Sequence, residues 1–95
     1  MLALVAIATA PHAAASPNDE FLDALADGGI SVPSNMTENV IGGGRGICRG
    51  WARGASYADG VADVAGALGG NQSLARVFVR AATIKLCPKY ASNLP

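Results

Sequence analysis

Ninety-five residues carry seven Lys plus Arg against seven Asp plus Glu, so the chain has no net charge. That balance excludes bulk electrostatic attraction to nucleic acid or to an anionic membrane. Half the residues are apolar (51%), but with one Trp, two Tyr and two Phe the core must be built mostly from Ala, Val, Leu and Ile. A single domain of this length buries only about 60% of its unfolded surface, so an additional constraint is expected.

Met1 to Ala10 reads MLALVAIATA, an uncharged apolar run followed by Pro11-His12 and Ala13-Ala14-Ala15. This matches the apolar region and A-x-A cleavage site of a secretory signal peptide. We therefore expect residues 1–15 to be removed, leaving Ser16 at the new N-terminus of a domain spanning 16–95. A charged leader is missing, so either the terminal amine alone serves or the true start codon lies upstream of Met1. The run is shorter than the roughly 20 apolar residues of a bilayer span, so no transmembrane anchor is expected. The alternative is a buried N-terminal helix.

Two cysteines, Cys48 and Cys87, lie in the mature part. An even count in a short exported chain reads as a disulfide, the alternative being two buried free thiols. No metal site is expected, because two cysteines without histidines cannot complete a tetrahedral shell.

The rest reads as an all-α chain, a small four-helix bundle with helices at about 17–27, 35–53, 56–68 and 71–87. Ser16 or Asn18 can cap the first, Pro17 suits its first turn, and Gly28-Gly29 stop it with Ile30 folding back as in a Schellman ending. Asn35 to Glu38 resembles a capping box for the second helix. Its apolar stripe is Met36, Val40, Ile47, Cys48 and Trp51. Gly42, Gly43, Gly44, Gly46 and Gly50 lie inside it, each costing roughly 1 kcal/mol relative to alanine. Either the helix breaks near Gly42–Gly44 or close packing offsets the cost. Gly42, Gly46, Gly50 and Gly54 recur every four residues, a smooth seam where another backbone could approach. Ser56 with Asp59 caps the third helix and Asn71 the fourth, whose inward residues are expected to be Leu74, Val77, Phe78, Ala81 and Ile84. Pro88 ends it, and the tail 89–95 is expected to be loose. The disulfide would then tie the last helix to the second.

N-D-E-F-L-D-A-L-A-D-G-G-I, then G-I-C-R-G-W-A-R-G, then F-V-R-A-A-T-I-K-L-C-P together resemble the small secreted mycobacterial proteins classed as "domain of unknown function 732". The resemblance covers about Asp19 to Pro88, and its specific elements are Phe21-Leu22, Gly29-Ile30, Cys48 and Cys87-Pro88. It implies an all-helical, disulfide-linked, exported domain, and it transfers no catalytic or binding residue. The Gly42–Gly46 run is richer in glycine than that pattern.

Catalytic chemistry finds little support. The only histidine, His12, leaves with the signal, so no imidazole base remains for a Ser-His or Cys-His nucleophile. The carboxylates Asp19, Glu20, Asp23 and Asp27, and the pair Asp59 and Asp63, read as exposed helix faces. The glycine run lacks the Gly-Lys-Ser/Thr ending of a phosphate loop. Asn35-Met36-Thr37 and Asn71-Gln72-Ser73 match glycosylation acceptors but serve better as helix caps.

Two features could carry binding. Arg45, Arg49 and Arg53 stack along one helix face, where they either meet an anionic partner or pair with Asp59 and Asp63 on the next helix. Trp51, Tyr57 and Phe78 either belong to the core or line an apolar groove. The expectation is a secreted, non-enzymatic cell-envelope or extracellular interaction module without cofactor or metal, monomeric, binding an unknown protein or envelope component and no nucleic acid. The alternative is a carrier of a small apolar ligand in a cavity between helices.

Overall fold

The computed structural model describes residues 16–95, so the leader, its cleavage point and His12 lie outside the described residues. Four α-helices follow one another: α1 (Pro17–Asp27), α2 (Thr37–Ala52), α3 (Tyr57–Ala67) and α4 (Gln72–Leu86). Short 3-10 turns precede α2 (Ser34–Met36) and follow α4 (Pro88–Asn93). No strand occurs among the described residues.

Local chemistry sets most of the boundaries. The Ser16 hydroxyl accepts the Asp19 amide at 3.1 Å, and Pro17 occupies the first turn of α1. At the other end Gly29 takes a φ of 95°, which lets the Ile30 amide reach back to the Leu25 carbonyl at 2.8 Å. Ile30 then packs against the core. Ser56 and Asp59 form the reciprocal capping box that opens α3, and the Asn71 side chain caps α4 through the Leu74 amide. The box expected at Asn35 does not form. Residues Ser34–Met36 already turn as a 3-10 helix, so α2 starts at Thr37 behind Met36, which gives no side-chain cap.

Helix α2 runs unbroken through its glycines for 16 residues. The four-residue glycine seam is not where packing occurs: a Cβ at Gly42 or Gly54 would meet nothing within 4 Å, and one at Gly46 only the Arg49 guanidinium. The close approach is at Gly44 instead. A Cβ there would lie 2.8 Å from the Phe21 ring and from Leu86 Cδ1. Phe21 of α1 thus rests against the α2 backbone, and burial of that ring offsets part of the glycine cost. Gly42 has no such return. Gly42→Ala is therefore expected to stabilise the domain by up to about 1 kcal/mol, read as a higher denaturant midpoint with an unchanged slope.

Helix α4 is the central element. Helices α1, α2 and α3 each pack on it far more than on one another. Its buried residues, Ala75, Phe78, Val79, Ala81, Ala82 and Thr83, accordingly cover more than one stripe, and the small ones let its neighbours come close. Ile84, expected to point inward, is 38% exposed, because the faces turned toward partners begin one position earlier at Thr83.

Two apolar clusters result. In the first, Phe21 and Phe78 meet edge to face at 5.4 Å between Leu25, Ile41 and Ala82. In the second, Trp51, Val61, Ala65, Ala75, Val79 and Cys87 come together. Thr83, fully buried, is satisfied on both sides: Trp51 Nε1 donates to its hydroxyl at 2.9 Å, and the hydroxyl donates to the Val79 carbonyl at 2.7 Å. The segment expected to be a loose tail is ordered into the 3-10 turn, where Tyr90 stacks on Trp51 at 6.4 Å and Leu94 covers the second cluster. The Cys48–Cys87 disulfide, with Cα atoms 6.0 Å apart, joins α2 to the end of α4.

Candidate functional site: a trough between α2 and α3

Because α2 and α3 both lean on α4 rather than on each other, a trough opens between them. Its volume is about 530 Å³, within the roughly 300–1,000 Å³ range of small-ligand sites. Met36 of the 3-10 turn with Asn39, Val40 and Ile47 of α2 form one wall, Val64 and Ala67 of α3 with Leu68 at its C-cap the other, and Phe78 of α4 the floor. Gly43 faces that floor: its missing Cβ would stand 3.4 Å from Phe78 Cζ, so the glycine leaves the ring edge open to the trough. Met36, at the α2 entrance, is 41% exposed.

The far end of the trough changes character. Gly46, Ile47 and Asp63 line it and also line a smaller recess of about 90 Å³, walled by Trp51, Arg53 and Ser56. The site is thus a mainly apolar trough with a second, smaller recess beside it that mixes Trp51, Ala55 and Val79 with Arg53, Ser56 and Asp63. What the trough can do chemically is hold an apolar group. Among the described residues no three His, Cys, Asp or Glu side chains converge as a metal site, and no helix is long and apolar enough to cross a membrane.

The residues singled out in the sequence fall into three places. Phe78 lines the trough, whereas Trp51 and Tyr57 belong to the second apolar cluster, with Trp51 only 9% exposed. Of the three arginines, Arg45 turns toward α1 and donates to Asn18 Oδ1 at 2.8 Å. Arg49 folds back along α2, its Nη2 lying 3.6 Å from where a Gly46 Cβ would be. Arg53 walls the recess together with Asp63. Asp59, the other expected partner, accepts the Ser56 amide at 3.1 Å through its carboxylate.

The trough walls were present in the sequence only as ordinary apolar stripes. Val40 and Ile47 stand on the expected stripe of the second helix, and Val64 and Leu68 on the apolar side of the third. The one available signal of a gap was the pair Gly43 and Gly46 facing that stripe, where missing side chains leave volume.

Comparison with known proteins adds one match. No curated protein and no solved structure matches the chain. A family model described as "Protein of unknown function (DUF732)" matches residues 17–89, which takes in all four helices and both cysteines. The chain belongs to the DUF732 family.

Proposed function

We propose that this domain is a non-enzymatic binding module, acting outside the cytoplasm, that takes a single apolar chain into the trough between α2 and α3. The observation that carries this reading is the trough itself, lined mainly by apolar side chains, with Asn39 and Asp63 at its walls, and floored by a buried aromatic ring. Burying a chain there removes apolar surface of both partners from water, at roughly 25 cal/mol per Å². The disulfide and the signal-like leader support the exported setting, since disulfides persist in oxidising compartments. Between an interaction module for a folded partner and a carrier of an apolar ligand, the concave, mainly apolar lining favours the ligand.

A neutral apolar dye such as N-phenylnaphthylamine tests it. The dye is expected to brighten on addition of the domain and to saturate. Ala67→Phe, which lays a ring across the trough, and Met36→Glu, which puts a charge on its wall, are each expected to weaken binding about tenfold or more. Both positions are exposed, so the thermal transition should move little. No saturable signal, or binding by both variants as tight as that of the unaltered domain, would refute the reading.

A further inference from the structure

We infer that Met36 is an oxidation site that controls the trough: its sulfoxide, held in place by the Asn39 amide, weakens the grip on an apolar chain. This inference rests on the trough reading and adds its regulation.

Met36 lines the trough and is 41% exposed, so a dissolved oxidant reaches the same side chain that a ligand would touch. Both cysteines are spent in the Cys48–Cys87 bond, which leaves no thiol to take the oxidant first. Trp51, the other readily oxidised side chain, is only 9% exposed. Met36 is thus the accessible oxidisable sulfur among the described residues. The oxidant is a peroxide. An S–O bond forms at the thioether as the O–O bond breaks, sulfur gives up two electrons, and hydrogen peroxide leaves as water. The change turns an apolar group into a polar one.

Asn39 decides where the new oxygen goes. It lines the same wall, and its Nδ2 already donates to Met36 Sδ at 3.9 Å. A thioether is a weak acceptor, whereas a sulfoxide oxygen is a strong one, so the same N–H would hold that oxygen at the wall. An apolar chain lying there would have to strip water from it, which is unfavourable. Without Asn39 the oxygen is free to swing toward solvent on this exposed side chain.

The test treats the oxidised, disulfide-bonded protein with mild hydrogen peroxide, desalts it, and repeats the N-phenylnaphthylamine titration. Peptide mapping should place one added oxygen on Met36, resolved from Met1. The affinity should fall about tenfold on treatment. Each variant is compared with its own untreated sample. Met36→Leu should bind equally before and after peroxide, and in Asn39→Ala the fall should shrink to about threefold or less. Three results would overturn the inference while leaving the trough reading intact: Met36 unoxidised where a free methionine peptide reacts, Met36 oxidised without loss of affinity, or a full loss in either variant. No saturable binding by the untreated protein would overturn both.

Discussion

Removing the disulfide, as Cys48→Ala with Cys87→Ala, is expected to lower the unfolding free energy by about 4 kcal/mol. The bond closes a segment with a sequence separation of 39, and the loop-entropy model gives about that figure for a loop of such length. Two structural consequences add to it. Cys87 sits at the C-terminal end of α4, and the turn that follows carries Tyr90 onto Trp51. Without the bond this turn is held only by the packing of Tyr90 and Leu94 on the second cluster, so the Trp51 face should gain water. Guanidinium unfolding of the oxidised protein and of the double variant measures the first effect, and the Trp51 emission maximum reports the second. Domains of this size have a total stability of only about 5–15 kcal/mol. A midpoint unchanged by the substitution would show that helix packing alone suffices and that the bond is incidental.

The contact between Phe21 and Gly44 should give the second large effect. Phe21 is fully buried, meets Phe78 edge to face and presses on the α2 backbone at Gly44. Phe21→Ala is expected to cost about 3–5 kcal/mol, the range for deleting a core aromatic ring. Gly44→Ala should also destabilise, by about 1–3 kcal/mol, because the new methyl would stand 2.8 Å from a ring that has nowhere to move. That is the opposite sign to Gly42→Ala, although both changes replace a helical glycine by the better helix former. Combining Gly44→Ala with Phe21→Leu should lose less than the sum of the two single losses, since the smaller side chain makes room for the methyl. Urea unfolding of Phe21→Ala, Gly44→Ala, Phe21→Leu and the Gly44→Ala/Phe21→Leu double variant is sufficient. A stabilising Gly44→Ala would mean that Phe21 does not rest on the helix backbone.

These outcomes bear on how far the fold was legible in the amino-acid order. Caps and stops were, because they depend on neighbours in the chain: Ser16, Ser56 with Asp59, Asn71 and Gly29 act through backbone groups within a few residues. The family resemblance and the disulfide were legible too, in the motifs around Cys48 and Cys87. What failed was side-chain packing against a distant element. The four-residue repeat of glycine suggested a seam at Gly42 and Gly46, yet the glycine that matters is Gly44, and only the placement of Phe21 reveals it. The C-terminal segment read as loose, because the aromatic ring that orders Tyr90 is Trp51, far away in the chain.

The trough was legible only in fragments. Phe78 and Arg53 were singled out, but for separate reasons, and neither residue says that α2 and α3 stand apart. Trp51 drew attention as an aromatic beside a turn, and the structure spends it instead on Thr83 and Tyr90 inside the core. A trough is a property of two helices leaning on a third. No spacing within one helix encodes it, since the same apolar stripe forms whether the facing helix touches or not.

The most direct test of the account is to map where an apolar chain settles. Nitrogen–proton correlation spectra of the oxidised domain, titrated with dodecyl maltoside below its micelle concentration, should show saturable shifts at the amides of Val40, Gly43, Ile47, Val64 and Leu68. Amides on α1 and on the outer face of α4 around Ile84 should stay in place. Shifts centred on Ile84 and α1, or spread evenly over the surface, would contradict the claim that the trough between α2 and α3 is the binding site.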